Sequence, residues 1–185
     1  MPAPSSRVSR ASSASSPPPA SGVAWVYHNG VFAWDGDWSW SLTTNYRDAS
    51  GAPIDGRYDL KLTATGAWGG WQPYVNAACQ RSASLCFDTS AYRYLVFAMK
   101  PTRANQRLKA AFLSSGDTAD GAVLYDLSSY CSGGSNPPVG QWESCKVPLS
   151  AFGMTDPVIL KFSIGDQTGV STNVWYLDDV GFSAN

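Results

Sequence analysis

From Val23 to its end the chain consists of short segments whose apolar residues recur at every second position, and this period constrains the fold more than any other feature. Residues 58–65 (YDLKLTAT) place Leu60, Leu62 and Ala64 on one side and Asp59, Lys61, Thr63 and Thr65 on the other, the alternation of a half-buried strand. Residues 92–100 and 106–115 read as further strands. Residues 142–149 turn Cys145, Val147 and Leu149 inward and Trp142 outward, and 158–165 line up Val158, Leu160, Phe162 and Ile164. Residues 174–182 supply a last strand. No segment sustains a 3.6-residue apolar period over three turns, and Gly, Pro, Asn and Asp break the runs. The predicted class is all-β: a β-sandwich of the jelly-roll type, with two antiparallel sheets, over residues 23–185. At 185 residues the chain suits one such domain plus a tail.

That tail, residues 1–22, is Ser, Ala and Pro with no aromatic residue. It has nothing with which to build a core and reads as a disordered or extended linker, with Pro17, Pro18 and Pro19 favouring polyproline II. A spacer of this kind implies that the domain is tethered to something on its N-terminal side.

Charge narrows the partners. The net charge is −1, or −3 once the tail's Arg7 and Arg10 are set aside, and no basic block draws in nucleic acid. No apolar run reaches the roughly 18 residues that cross a bilayer. The four cysteines fall into two local pairs without C-x-x-C spacing, and His28 is the only histidine, so a zinc site is not indicated. Disulfides Cys79–Cys86 and Cys131–Cys145 are the simplest of three connectivities, against the alternative of four free buried thiols. Disulfides would place the protein outside the cytoplasm, as a secreted protein. The sequence shows no signal peptide, so any such segment was removed or lies outside it.

Catalysis finds little support. Glycoside hydrolysis generally needs two facing carboxyl groups, and the chain has a single glutamate, Glu143, with most aspartates in turn-like contexts. No Ser-His-Asp set or phosphate-binding loop is present. The expectation is a non-enzyme.

Eight Trp, nine Tyr and seven Phe are more rings than a core of this size readily buries, because each indole N–H needs a partner. Several should therefore be exposed, and exposed rings point to recognition. Pyranose rings, with apolar C–H faces, are natural partners. Two segments carry this reading: DWSW, with Trp38 and Trp40 on one strand face, and AWGGWQPY, residues 67–74. In the second, glycines between Trp68 and Trp71 clear the approach of a flat ligand, and Gln72 offers both donor and acceptor groups.

The order of features resembles the calcium-stabilised jelly-roll carbohydrate-binding modules attached to secreted cellulases and related β-glucanases. The matching elements are VYHNG at 26–30, DWSW, AWGGWQPY, FDTS at 87–90, W-x-x-x-x-V-P-L-S-x-F at 142–152 and WYLDDVGF at 175–182. They span essentially the whole domain. The resemblance implies a sugar chain lying across the concave sheet, and carries that role to Trp71, Gln72 and Tyr74, then Trp68, with Trp38, Trp40, Tyr125 and Trp142 as further candidates. Trp71 and Tyr74 stand an odd number of residues apart, so a regular strand turns them to opposite faces unless Pro73 marks a bulge or edge. The resemblance also implies a structural Ca²⁺ at Asp178, Asn29 and Asp59, with Asn29 replacing the more usual acid; capping at a strand end is the other role open to Asp178 and Asp179.

The implied function is non-catalytic binding of β-glucan (cellulose, cello-oligosaccharides, mixed-linkage glucan or xyloglucan), with mannan also open. Binding would bring a covalently linked glycoside hydrolase to plant cell-wall polysaccharide. The alternatives are a jelly-roll glycosidase using an aspartate pair and a protein-interaction sandwich.

Overall fold

The computed structural model describes residues 22–114, 116–134 and 138–185; nearly all of the expected linker lies outside them. Among the described residues, fourteen strands form two antiparallel sheets. In chain order they are β1 (Val23–His28), β2 (Val31–Phe32), β3 (Gly36–Asp37), β4 (Leu42–Asp48), β5 (Asp59–Ala64), β6 (Gly70–Trp71), β7 (Pro73–Tyr74), β8 (Phe87–Asp88), β9 (Tyr94–Pro101), β10 (Leu108–Ser114), β11 (Ala119–Leu124), β12 (Glu143–Pro148), β13 (Val158–Asp166) and β14 (Val174–Ser183). The six strands expected from alternation are β5, β9, β10, β12, β13 and β14, and the predicted sandwich is the observed architecture.

The first sheet is organised by β14. One edge pairs with β9, which carries β12. The other edge is shared end to end. Residues Val174 to Leu177 pair with β5, and Val180 to Ser183 with β1, through Val180↔Tyr27 and Ser183↔Val23. The two neighbours meet opposite Asp178 and Asp179, where the register shifts and Asp179 takes φ +51°. Pairing of β1 with β14 also sets the two ends of the domain side by side, and Ala184 N donates to Gly22 O at 3.1 Å.

The second sheet is organised by β13 in the same way. One edge pairs with β10 and then β11; the other takes β6, β7 and β8 in succession, with β3 outside β7. Phe162 and Ile164 of β13 and Leu108, Ala110 and Phe112 of β10 point into the core, so Lys161, Ser163, Gly165, Lys109, Ala111 and Leu113 face outward. The alternation expected along β13 fails at its start. A register shift opposite Leu113 and Ser114 turns Ile159 into the main core and leaves Leu160, with Val158, against Cys79 and Cys86.

A connected set of rings runs through the otherwise mainly aliphatic core. Phe162 meets Phe182, Trp34 and Trp71 edge-on at 5.6, 5.4 and 5.8 Å between centroids, the arrangement that ring quadrupoles favour. Each fully buried large side chain of this kind contributes about 1.5–3 kcal/mol. Both expected disulfides are present, Cys79–Cys86 and Cys131–Cys145.

Candidate functional site

The exposed rings gather on the outer face of the second sheet. Tyr74 sits on β7 opposite Lys161 of β13, and Trp38, just after β3, lies on Tyr74 with centroids 4.4 Å apart and planes at 29°. The Nζ of Lys161 stands 4.4 Å from the Trp38 centroid and 2.7 Å from Asp117 Oδ1. Trp38 is therefore held by a stacked ring and a cation, yet remains 37% exposed. Gly36 makes room for the Tyr74 hydroxyl, since a Cβ there would overlap it.

Trp40 and Trp68 extend this surface. The Trp40 backbone pairs with Gly70, whose missing Cβ leaves space for the Trp40 ring, and the Trp40 indole N–H donates to Trp68 O at 2.9 Å. Trp68 has φ +61° and lies over Gly169, with Lys109 Nζ 5.9 Å from its centroid. Trp40 is 36% and Trp68 49% exposed. Gln72 is tied down by its backbone, donating to Ser39 Oγ and accepting from Trp38 N, which leaves its side chain beside the rings. Tyr125 directly follows β11, whose Leu124 packs on the core, and is largely exposed.

Two of the rings expected to touch ligand fall elsewhere. Trp71, the leading one, is wholly buried. Its pairing with Ile164 on β13 turns the ring between the sheets, against Phe32 and Phe162, and its N–H donates to Tyr46 Oη at 3.0 Å. This is the odd-spacing consequence: Tyr74 faces out and Trp71 faces in. Trp142 belongs to the first sheet, where its N–H donates to Ala52 O and Lys100 lies near its ring, so it shares no surface with Trp38. Trp71 nonetheless acts on the ring face. Tyr46 Oη, which accepts its hydrogen bond, donates to Asp37 Oδ2 at 2.7 Å, and Asp37 also accepts from the Ser39 backbone N–H and hydroxyl. A polar chain thus runs from the core to the residues on either side of Trp38. Burial is the main reason that the Tyr46 phenol is pushed well above its ordinary pKa.

The expected metal ligands collect on the other sheet, where β1, β5 and β14 meet. Asp59 and Asp178 are on its outer side but fully buried, because residues 49–57 fold over them. Gly51 lies against Asp59 and Gly56 against Asn29, and Asn29 Oδ1 accepts from Arg57 N at 2.8 Å. Both carboxylate oxygens of Asp59 and Oδ2 of Asp178 have no partner among the described residues. Burial first, then Asp48 and Asp178, holds Asp59 up at about 7. Burial, with the charges of Asp179 and Asp55, holds Asp178 up at about 6. Three buried carboxylate oxygens without partners are what a hard, oxygen-seeking cation would satisfy. Sequence reading missed the adjoining group: His28, Asp55 and Asp179 bring one ligand atom each within 4.8 Å of one another, with His28 Nδ1 2.6 Å from Asp179 Oδ1. The signal was His28 at the end of β1 beside the paired acids of WYLDDVGF, but only the irregular backbone at Asp179 brings them together.

Glu143 offers no catalytic surface. It is buried beside Gln106 and Leu108, neither carboxylate oxygen has a close hydrogen-bond partner among the described residues, and burial pushes its pKa up. At the ring face, Asp117 is engaged by Lys161 and Asp37 by Tyr46 and Ser39.

No protein-family model matches the chain, and no curated protein matches it in sequence. Its fold does match solved structures. The family 11 carbohydrate-binding module of a cellulosomal cellulase of Clostridium thermocellum superposes with a TM-score of 0.57 at 16% identity, over 89% of this chain and 95% of that one. A variant of the family 29 module CBM29-2 superposes with a TM-score of 0.55 at 14% identity, over 88% and 92%. Another, solved with mannohexaose, gives 0.54 at 12% over 86% and 89%. The chain therefore has the two-sheet antiparallel β-sandwich fold of these carbohydrate-binding modules.

Proposed function

We propose that the protein is a non-catalytic carbohydrate-binding module that holds β-glucan chains on the outer face of its second sheet and brings a linked glycoside hydrolase to plant cell-wall polysaccharide. The observation that carries this reading is the Trp38 ring, stacked on Tyr74, fixed by Lys161 and still open to solvent. A ring immobilised before the ligand arrives loses little entropy on binding. Trp40, Trp68 and Gln72 adjoin it, and the apolar faces of successive pyranose rings have planes on which to stack while amide and ammonium groups meet their hydroxyls. The fold shared with a module of a cellulosomal cellulase supports the reading, and the two disulfides suit a secreted protein.

A structural Ca²⁺ is part of the proposal. Asp59 and Asp178 would hold it, with Asn29 beside them, and the ion would tie residues 49–57 to the junction of β5, β1 and β14. Its contribution is to stability, because an ion that binds only the folded chain adds to its folding free energy.

The test is affinity electrophoresis of wild type and Trp38→Ala on cellulose derivatives, mixed-linkage glucan, xyloglucan and mannan. Retardation of the wild type that Trp38→Ala abolishes supports the reading; a wild type unretarded on every polysaccharide overturns it.

A further inference from the structure

We propose that the open cavity beside Trp68 takes an anionic sugar unit, carrying a uronate carboxylate or a sulfate ester, on a glycan whose neutral backbone lies on the ring face. The inference rests on the glycan-binding reading and specifies which glycans are preferred.

The cavity has a volume of about 360 Å³ and is lined by Arg103, Asn105, Arg107, Gln167, Thr168 and Val170, with Ala104. That is within the range of about 300–1,000 Å³ usual for small-ligand sites. One short stretch of backbone joins it to the rings. Gly165 lies beside Lys109, Gly169 lies under the Trp68 ring with φ +70° where a side chain would collide, and Thr168 and Val170, on either side of Gly169, line the cavity. A sugar stacked on Trp68 thus has a neighbouring unit or branch at the cavity mouth.

The charge at this corner departs from the rest of the molecule. The chain as a whole is −1, yet the cavity wall carries two arginines and no acidic residue, and Lys109 adds a third cation on the ring side. Their charges are open to a ligand. Arg103 and Lys109 have no ion pair among the described residues, and Arg107 has a loose one, 3.6 Å to exposed Asp126, of a kind worth little in water. The nearest buried acid has its oxygens engaged within the protein: Asp166 is fully buried and accepts from Thr168 Oγ1, Gly169 N and Asn173 Nδ2 at 2.8, 3.1 and 3.0 Å. Gln167 also lines the cavity, and its side-chain oxygen is buried with no partner among the described residues. Guanidinium groups match the planar pair of oxygens in a carboxylate or sulfate, and an anion there gains charge-assisted hydrogen bonds that a neutral hydroxyl does not.

The experiment measures affinity of the full chain for three ligands by calorimetry at low and high salt: a neutral β-glucan oligosaccharide, a glucuronate-substituted oligosaccharide, and a sulfated oligosaccharide. Wild type is expected to bind one or both anionic ligands about tenfold more tightly than the neutral one at low salt, with the advantage shrinking as salt rises. Arg103→Gln with Arg107→Gln, both exposed positions, should erase that advantage while leaving neutral binding and the melting temperature unchanged. Preference for the uronate identifies a carboxylate site and preference for the sulfate a sulfate-ester site. Equal affinity for neutral and anionic ligands in wild type, or an advantage that survives the double substitution, overturns the proposal. Arginine-dependent binding of an anionic chain without any neutral binding would keep the cavity assignment and remove the β-glucan reading.

Discussion

Trp38 and Tyr74 lie ring on ring, 4.4 Å apart, on the outside of the second sheet, and only the upper ring is well exposed. In the proposed binding mode Trp38 is the contact surface and Tyr74 its support. Trp38→Ala should weaken glucan binding by about 2 kcal/mol, roughly 30-fold, with little change in melting temperature. Tyr74→Ala should weaken binding by a similar factor, by freeing Trp38 to turn. Calorimetry of both variants checks this; unaltered affinity in Trp38→Ala would remove the ring from the site.

Trp71 should behave in the opposite way. Removing this buried ring leaves a cavity between the sheets, so Trp71→Ala is expected to cost about 3–5 kcal/mol of stability, read in a denaturant melt. Tyr46→Phe leaves the Trp71 N–H and Asp37 each short of a partner and should cost about 1–3 kcal/mol. It should also lower glucan affinity, because Asp37 loses one of the bonds that fix the backbone beside Trp38.

The acids under residues 49–57 predict a dependence on both pH and calcium. Asp59, near 7, and Asp178, near 6, titrate above the ordinary carboxylate range. Without metal, the native state therefore binds more protons than the unfolded chain between about pH 4 and pH 7, and stability falls as pH rises through that window. Calcium should hold both groups ionised and flatten this slope. Present at 100 times its dissociation constant, it should add about 2.7 kcal/mol. Thermal melts in chelator and in calcium, at acid and alkaline pH, check this; identical curves would exclude the site.

Reduction should loosen the domain without blinding it. The disulfides span sequence separations of 7 and 14 residues. Losing the longer closure, by Cys131→Ser with Cys145→Ser, should cost about 3 kcal/mol, and losing the shorter one somewhat less. Melts with and without reductant give the cost, and binding at a temperature where the reduced protein is folded should match that of the oxidised protein.

What was readable in the sequence was whatever depends on neighbours along the chain. Leu60, Leu62 and Ala64 announce β5 because alternation is local, and the cysteine pairs close short loops. Which tryptophans face water is decided differently. β6 and β7 are two-residue strands whose facing is set by pairing with β13, some ninety residues away. The odd spacing of Trp71 and Tyr74 shows that they part company, but not which of them goes inside. The meeting of His28, Asp55 and Asp179 depends on backbone irregularity at Asp179, for which the sequence has no periodic signature. Likewise, Lys161 is plainly outward by alternation, whereas its place beside Trp38 emerges only once β3 and β7 have paired.

The adjacency of Val23 and Ser183 on β1 and β14 has a mechanical consequence. Pulling the two ends of the domain apart loads their hydrogen bonds one at a time, as a zipper opens, and this is the direction in which an antiparallel pair yields most easily. A pull between the N-terminal end and a polymer gripped at Trp38 takes another route. It crosses from one sheet to the other through the packed core, where many contacts share the load. If the domain is tethered at one end and anchored by its ring face, as proposed, it would be strained along this second route.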